Sequence, residues 1–266
     1  MNHVPSVFLG GSTFFEPFLG AGSLFFRLKP ERAVLSDKNR ELIECYKAVK
    51  KNPVLVSKYL ARHLKLSSEE YYYRKRKEFN TLNHSISRAS LFIYLNKTSF
   101  NGIWRVNDNG EFNVPYGYKE PPSLPSRAEL EVVSRALSKA RLLHADYKTA
   151  VKSVKSGDFV YFDPPYPPLN GTSYFTHYTR ERFSKKDHEE LAELSRELAG
   201  KGCHILISNS DTEYIRSLYE REFRIFDLEV TRWIRTDGRR YKVKEIAITN
   251  YNVDSVYSKT ARHLPS

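Results

Sequence analysis

The chain has 266 residues, of which 40% are hydrophobic and 28% charged, as in a folded protein of one or two domains. No apolar run approaches the roughly 20 residues of a membrane span, so we expect a cytoplasmic protein. Lysine and arginine exceed aspartate and glutamate by 12, and 14% of the residues are aromatic. This balance suits a nucleic-acid partner and a highly soluble basic protein equally well.

The first fifty residues alternate strand and helix patterns. A β-rich run at 12–15 precedes a glycine-containing turn, and a helix begins near Ser23. A second strand at 33–36 ends at Asp37, and Asn39 can cap the helix that follows. This β-α-β-α order predicts a parallel sheet.

The pattern then changes to consecutive helices. Three helical segments are followed by a predicted β-hairpin at 104–114, with its turn at Asp108-Asn109-Gly110, and by a proline-rich linker. Strand and helix alternate again afterwards. We therefore expect a discontinuous sheet domain, residues 1–51 and 136–254, interrupted by an inserted, mainly helical domain at 52–135.

A strand at 159–162 is followed directly by Asp163-Pro164-Pro165-Tyr166. In open α/β sheets ligands bind at the carboxyl ends of the strands. The prolines remove two N–H donors, so the turn presents oxygen acceptors beside an aromatic ring. Such a site suits a planar substrate with an exocyclic amine, such as adenine. A plain tight turn after a buried strand is the alternative interpretation.

The segment between the first strand and the first helix contains Gly20 and Gly22, which allow a ligand to approach the backbone closely. Asp37, at the end of the second strand, can accept hydrogen bonds from ribose hydroxyls or cap the next helix. Asp146, after the third strand, can lie near a nucleoside base or, equally well, cap a helix. Phe18 can line the same pocket or belong to the apolar packing.

Several motifs together resemble a known family. They are FEPFLGAG at 15–22, Asp37, DPPY at 163–166, NGIWRVN at 101–107 and GEFNVPYG at 110–117. In this order they are similar to the Dam-type DNA adenine-N6 methyltransferases, which use S-adenosylmethionine and commonly methylate GATC. The similarity extends from about residue 13 to 252.

The resemblance implies an α/β fold: a Rossmann-like class I methyltransferase sheet with an inserted, mainly helical target-recognition domain that carries a β-hairpin. It implies methyl transfer from S-adenosylmethionine to a flipped adenine in duplex DNA, in GATC. Asp163 and Pro164 are expected to accept hydrogen bonds from the adenine amino group, and Tyr166 to stack on the base. The expected cofactor-binding residues are Glu16, Phe18, Gly20, Gly22, Asp37, Asp146 and Asp163.

The hairpin is expected to contact DNA. By resemblance, Asn101 enters the base stack, Arg105 reads a guanine, Ile103 and Pro115 contact a thymine methyl group, and Phe100 packs near the flipped base. Hairpin packing is the alternative for Phe100, Ile103 and Pro115, and a surface ion pair for Arg105. The basic residues expected to contact phosphates are Arg232, Arg235, Arg239, Arg240, Lys242 and Lys244.

The first eleven residues differ from the family pattern. Family members usually have a Lys-Trp-x-Gly-Gly-Lys-like segment, part of the cofactor site, which residues 1–11 do not resemble. A catalytically impaired DNA-binding homologue is therefore the second hypothesis. The third is an enzyme of the same sheet that acts on RNA or protein amides, and Asp163 rather than Asn makes it weaker.

The remaining expectations concern partners. Duplex DNA is the expected partner, and a cognate restriction endonuclease can act on the same sequence without a stable complex. We expect a monomer that needs no metal ion, and we assign the histidines no function. Cys45 and Cys203 lack metal-ligand spacing and are expected to be core thiols of a reducing compartment.

Overall fold

The computed structural model describes residues 11–117, 122–167, 183–233 and 240–252. The chain divides into two compact units. The first, which we call the sheet unit, comprises Met1–Ser36 and Ala145–Ser266, and the second, the helical unit, comprises Asp37–His144. The helical unit includes the helix before residue 52, which packs against three later helices of the same unit. The inserted domain at 52–135 stays a prediction.

The described residues form a seven-stranded sheet of order β3-β2-β1-β4-β5-β7-β6. The first five strands in this order include the parallel pairs β1–β2, β1–β4 and β4–β5, which confirms the expected parallel arrangement. Strand β7 lies antiparallel between β5 and β6. The strands are β1 (Phe14–Glu16), β2 (Ala33–Asp37), β3 (Ala140–His144), β4 (Phe159–Phe162), β5 (His204–Ser210), β6 (Arg224–Trp233) and β7 (Arg240–Thr249).

Strand β1 lies at the point where the strand order reverses. The chain passes from β1 to β2 on one side, and β4 occupies the other side. The register aligns Phe14 with Phe159 and Phe15 with Val160, which brings Glu16 level with Tyr161. The turns after β1 and β4 therefore leave the sheet at the same edge, where open α/β sheets bind their ligands.

Nine α-helices are found within the described residues. The sheet unit contains α1 (Ser23–Leu28), α7 (Tyr147–Ala150), α8 (Lys185–Gly200) and α9 (Glu213–Tyr219). The helical unit contains α2 (Arg40–Lys51), α3 (Pro53–Lys65), α4 (Glu69–Thr81), α5 (Ile86–Thr98) and α6 (Arg127–Leu137). The expected cap Asn39 accepts a hydrogen bond from the Leu42 N–H. In the part of the chain that is described, no helix is long and apolar enough to cross a membrane.

The core of the helical unit surrounds α5, which packs against α2, α3 and α4. It is rich in aromatic rings: Tyr72 and Phe79 of α4, Tyr94 of α5 and Phe112 of the hairpin are almost fully buried. Trp104 stacks on Phe112, with 4.8 Å between the ring centroids. The hairpin is thus anchored in this core by its inward-facing rings. Cys45 in this unit and Cys203 in the sheet unit are buried and free, as expected.

The expected hairpin at 104–114 differs from a regular one. Within the described residues a single bridge, Val106 with Phe112, replaces a strand ladder. The arms nevertheless keep one register, because Asn107 N–H donates to the Glu111 carbonyl at 2.9 Å and Asn113 N–H to the Arg105 carbonyl at 3.2 Å. The turn closes through the Gly110 N–H and the Asn107 carbonyl, 2.9 Å apart. The second arm bonds to side chains of α4 instead of a third strand.

Candidate active site and nucleic-acid interface

A buried carboxylate ends strand β1. Glu16 is 2% exposed, and its Oε2 accepts one hydrogen bond from the Phe25 N–H in α1 at 3.2 Å. The pKa of Glu16 is raised to about 8, mainly by burial; the Phe25 N–H lowers it and the negative charge of Asp163 adds to the rise. Two carboxyl groups from neighbouring strands thus share one sheet edge, an arrangement that favours a cationic ligand.

Glu16 belongs to a row of polar side chains on one face of the sheet. Tyr161 on β4 lies level with it, and the Tyr161 hydroxyl is 3.0 Å from the Ser208 hydroxyl on β5. Burial raises the pKa of Tyr161, and so do the charges of Asp163, Glu16 and Glu245. Glu245, on β7, is 7% exposed and was missed in the sequence, although it is the one charged residue in the run Glu245-Ile246-Ala247-Ile248.

The turn predicted to hold the substrate begins where expected. Strand β4 ends at Phe162, so that Asp163 and Pro164 follow it directly at the carboxyl edge. Asp163 is exposed and Pro164 buried. The Tyr166 hydroxyl donates to Glu245 Oε2 at 3.4 Å, and burial together with these carboxylates raises its pKa. The hydroxyl therefore stays protonated and fixes one end of the ring.

The glycine turn after β1 has two different glycines. Both have positive φ, 45° at Gly20 and 64° at Gly22. A Cβ at Gly22 would lie 2.9 Å from the Phe26 ring, whereas a Cβ at Gly20 would meet nothing within 4 Å. Gly22 is thus required by packing onto α1, and the open space at Gly20 allows a ligand to approach the backbone.

Phe18, in the same turn, belongs to an aromatic group. Its ring stacks on Tyr147 at 5.3 Å and meets Phe162 and Phe183 edge-on at 6.3 Å and 5.6 Å. The packing expected as the alternative is therefore present. Phe18 is only half-buried, and its contact with a cofactor stays a prediction.

The two aspartates proposed for the cofactor site both support local turns. Asp37 Oδ1 accepts from the Asn39 N–H at 2.8 Å, just before α2. Asp146 caps α7, with Oδ1 accepting from the Thr149 N–H at 2.9 Å and Oδ2 from the Thr149 hydroxyl at 3.1 Å. Asp146 is thus a helix cap, as its alternative interpretation expected. Asp37 is not the cap of α2, because Asn39 caps that helix. Ligand contacts of both aspartates stay predictions.

The outer face of the hairpin in the helical unit carries both polar and apolar side chains. Phe112 and Val114 point into the core, whereas Ile103, Arg105 and Pro115 are exposed. The register that pairs Asn113 with Arg105 also brings Ile103 level with Pro115. Ile103 is 45% exposed and Phe100 47%, so both are large exposed hydrophobic side chains, and their DNA contacts stay predictions.

Asn101 lies in a tight turn with left-handed backbone angles, φ 54° and ψ 11°. Asn is among the few residues other than Gly that adopt this conformation readily. The turn is held by the Phe100 N–H, which donates to the Pro115 carbonyl at 2.9 Å, and by Gly117 N–H to Thr98 carbonyl at 2.8 Å. The structure therefore fixes Asn101 at the base of the hairpin.

Arg105 donates from Nε to Asn113 Oδ1 at 2.8 Å. The surface ion pair considered as its alternative is not found among the described residues. Asn113, whose alternation with Phe112 and Val114 places it on the outer face, was not singled out in the sequence.

The proposed phosphate contacts lie on the last two strands. Thr231 pairs with Lys242, and Arg232 with Tyr241, so the backbones of Arg232 and Lys242 are adjacent. Arg235 and Arg239 lie outside the described residues.

Comparison with known proteins gives a family match over residues 1–234, described as D12 class N6 adenine-specific DNA methyltransferase. The chain is 40% identical to the type II methyltransferase M1.LlaDCHI of Lactococcus lactis subsp. cremoris over 248 residues, 90% of this chain and 86% of the relative. It is 37% identical to the type II methyltransferase M.MjaIII of Methanocaldococcus jannaschii, over 90% of this chain and 88% of the relative.

A third relative is the DNA adenine methylase of Escherichia coli (strain K12), 36% identical over 92% of this chain and 87% of its own length. The family match and these identities span most of the chain, and the strand order is consistent with the class I methyltransferase fold. The chain therefore belongs to the D12 class N6 adenine-specific DNA methyltransferase family, which confirms its resemblance to the Dam-type enzymes.

Proposed function

We propose that this chain transfers a methyl group from S-adenosylmethionine to N6 of a flipped adenine in duplex DNA, within GATC. The observation that carries the proposal is the carboxyl edge of the sheet, where Asp163 and Pro164 follow β4 beside the buried Glu16. The family supplies adenine N6 methylation as the reaction. The recognition sequence and the functions of individual residues are the proposed part.

The residues of the sheet edge fit a cationic nucleoside cofactor. A positive charge beside Glu16 would lower its raised pKa, and the open backbone at Gly20 admits a close approach. Phe18 offers an aromatic face. When bound, S-adenosylmethionine supplies an electrophilic methyl group on a sulfonium centre. The residues proposed to bind it are Glu16, Phe18, Gly20, Gly22, Asp37, Asp146 and Asp163.

Asp163 and Pro164 are proposed to activate the adenine amino nitrogen, whose lone pair is delocalised into the ring. The Asp163 carboxylate and the Pro164 carbonyl each accept one hydrogen bond from the amino group. Two acceptors favour a pyramidal nitrogen, with its lone pair directed at the methyl carbon. The nitrogen loses one proton after transfer, and the exposed Asp163 can pass it to water. Tyr166 stacks on the base.

The hairpin is proposed to hold the DNA around the flipped adenine. Extruding the base costs roughly a few kcal/mol, and Asn101 enters the stack to offset this cost. Arg105 reads a guanine through O6 and N7, and Ile103 and Pro115 contact a thymine methyl group. Phe100 packs near the extruded base. The exposure of this face of the hairpin supports these assignments.

The phosphate contacts and partners complete the proposal. Arg232, Arg239 and Lys242 are proposed to neutralise phosphates. Two of the relatives are named as type II methyltransferases. A cognate restriction endonuclease that cuts the same sequence, without forming a stable complex, is therefore the proposed partner beside DNA. We propose that the protein acts as a cytoplasmic monomer.

The substitution Asp163→Ala tests the chemistry. Removing one preorganised partner of the reacting group is expected to lower the rate of methyl transfer at least about a hundredfold. Duplex binding, measured by fluorescence anisotropy, is expected to stay nearly unchanged. Asp158→Asn is the matched control, because Asp158 is a buried carboxylate at the opposite end of β4 that accepts from the Thr13 and Lys155 N–H groups. Transfer by Asp163→Ala at the normal rate would contradict the proposal.

Calorimetric titration with S-adenosylmethionine distinguishes the active enzyme from a catalytically impaired homologue. We expect saturable binding by the purified chain, with weaker binding by Glu16→Ala. DNA binding without any cofactor binding would support the impaired homologue instead.

A further inference from the structure

Three side chains of α4 support the second arm of the hairpin. Tyr72, Arg76 and Asn80 follow one another at intervals of four residues, so they share one face of the helix. Asn80 exchanges two hydrogen bonds with the Phe112 backbone, Nδ2 to the carbonyl at 3.2 Å and Phe112 N–H to Oδ1 at 3.0 Å. The Tyr72 hydroxyl and Arg76 Nη1 both donate to the Val114 carbonyl at 2.9 Å. We call these three side chains the α4 support.

The α4 support fixes the backbone of Asn113. Arg76 Nη1 also donates to the Asn113 carbonyl at 3.3 Å, while the Asn113 N–H donates to the Arg105 carbonyl across the hairpin. Phe112 and Val114, on either side, are 1% and 2% exposed. Because side chains alternate along an extended arm, the Asn113 side chain lies on the outer face, beside Arg105.

Asn113 controls the orientation of the Arg105 guanidinium. Its Oδ1 accepts from Nε at 2.8 Å, the one side-chain hydrogen bond of Asn113 within the described residues. With Nε engaged, the plane of the guanidinium is set and the two terminal amino groups remain for a bidentate contact. A long arginine side chain otherwise loses rotamer freedom when it binds. The hydrogen bond to Asn113 thus restricts the rotamers of the Arg105 side chain before DNA binds.

We propose that Asn113 is a positioning residue for base recognition, which holds Arg105 in the conformation that reads guanine. This inference rests on the proposed function of Arg105. It assigns to Asn113 a share of the sequence discrimination without a base contact of its own. Asn113 is expected to act at the base pair that Arg105 reads and at no other.

The test measures kcat/KM on a GATC duplex and on duplexes with one base pair changed. Arg105→Ala is expected to reduce discrimination at one base pair by about ten- to a hundredfold, the range of a bidentate contact. Asn113→Ala is expected to reduce discrimination at that same pair by roughly three- to tenfold, a part of this effect. The double variant is expected to discriminate no worse than Arg105→Ala alone, because the two residues act as one unit.

Two variants separate positioning from folding. Asn113→Asp keeps an oxygen acceptor for Nε and is expected to retain discrimination within about threefold of the wild type. Asn107→Ala is the matched control in the same hairpin. Asn107 Oδ1 accepts from the Asn109 and Glu111 N–H groups at 3.1 Å and 2.9 Å, so it builds the turn without touching Arg105. Asn107→Ala is expected to lower thermal stability and to leave discrimination unchanged.

Suppose that Arg105→Ala reduces discrimination at one base pair, as expected. The inference would then be overturned if Asn113→Ala lowered kcat/KM equally on every duplex, or if the losses of discrimination in the two single variants added up in the double variant. Unchanged discrimination in Arg105→Ala would overturn the proposed function of Arg105 and the inference with it.

Discussion

Burial and repulsion act together on Glu16. The side chain is almost fully covered, and Asp163 at the same sheet edge adds a second negative charge. With a pKa of about 8, Glu16 is mostly protonated at neutral pH. A cation bound beside Glu16 would favour the ionised carboxylate instead. Cofactor binding and loss of the Glu16 proton are therefore expected to be linked.

Glu16 should make stability depend on pH. Its pKa is about 8 in the folded chain and near 4.5 when unfolded, so the folded state retains the proton in this window. The contribution is fully present below pH 4.5 and is lost as pH rises towards 8, at up to about 1.4 kcal/mol per pKa unit. In urea denaturation, Glu16→Gln is expected to be more stable than the wild type at pH 9 and similar at pH 5. An equal difference at both values would contradict the raised pKa.

The ring of Tyr166 should contribute more to kcat/KM than its hydroxyl. Stacking on a base is worth roughly 1–3 kcal/mol, so Tyr166→Ala is expected to lower kcat/KM by about ten- to a hundredfold. Tyr166→Phe keeps the ring and loses the hydroxyl, with its long hydrogen bond to Glu245 and its hydrogen bond to Asp163. Its expected loss is less than about fivefold, since these hydrogen bonds hold the ring equally in the ground state and in the transition state. If Tyr166→Phe loses as much as Tyr166→Ala, stacking is not the function of this ring.

At the scale of helices and strands, features that depend on neighbouring residues in the sequence could be predicted. Contacts between residues far apart in the sequence could not. The helix pattern, the cap Asn39 and the strand before Asp163 depend on neighbours in sequence, and the structure confirms them. The α4 support depends on side chains about forty residues from the hairpin, and Glu245 on the pairing of β7 with β5. No short-range pattern reports such contacts, which is why the sequence predicted the hairpin but not its hydrogen bonds to α4.

The α4 support should stabilise the helical unit measurably. Asn80→Ala removes both hydrogen bonds to the Phe112 backbone, and leaving these groups unpaired costs about 1–3 kcal/mol. The expected result is a lower free energy of unfolding in urea. Asn83→Ala, at an exposed position just after the same helix, serves as the control and should change stability by less than about 0.5 kcal/mol. Equal stability of the two variants would show that the Asn80 hydrogen bonds do not stabilise the helical unit.

Over the whole molecule, the formal charge of +12 agrees with a polyanionic substrate. The alternation of strand and helix patterns sufficed to predict the parallel sheet, and the order of the motifs along the chain sufficed to predict the family. The placement of β7 between β5 and β6 was not predicted, since antiparallel pairing at a sheet edge depends on contacts distant in sequence.

The salt dependence of DNA binding should report the phosphate contacts. Arg232→Ala and Lys242→Ala are each expected to reduce the slope of log Kd against log salt by about 0.9, because each removes one phosphate contact. Lys186 on α8, with a side chain 82% exposed, offers a matched control. Lys186→Ala should leave the slope unchanged. Identical slopes for all three variants would place the phosphate contacts elsewhere.

The most direct measurement is to incubate the purified chain with S-adenosylmethionine and unmethylated plasmid DNA, and to map N6-methyladenine by single-molecule sequencing. We predict modification of the adenine in GATC by the wild type and by Asp158→Asn, and none by Asp163→Ala. Unmodified plasmid after incubation with a wild-type chain that binds both cofactor and DNA would contradict the account.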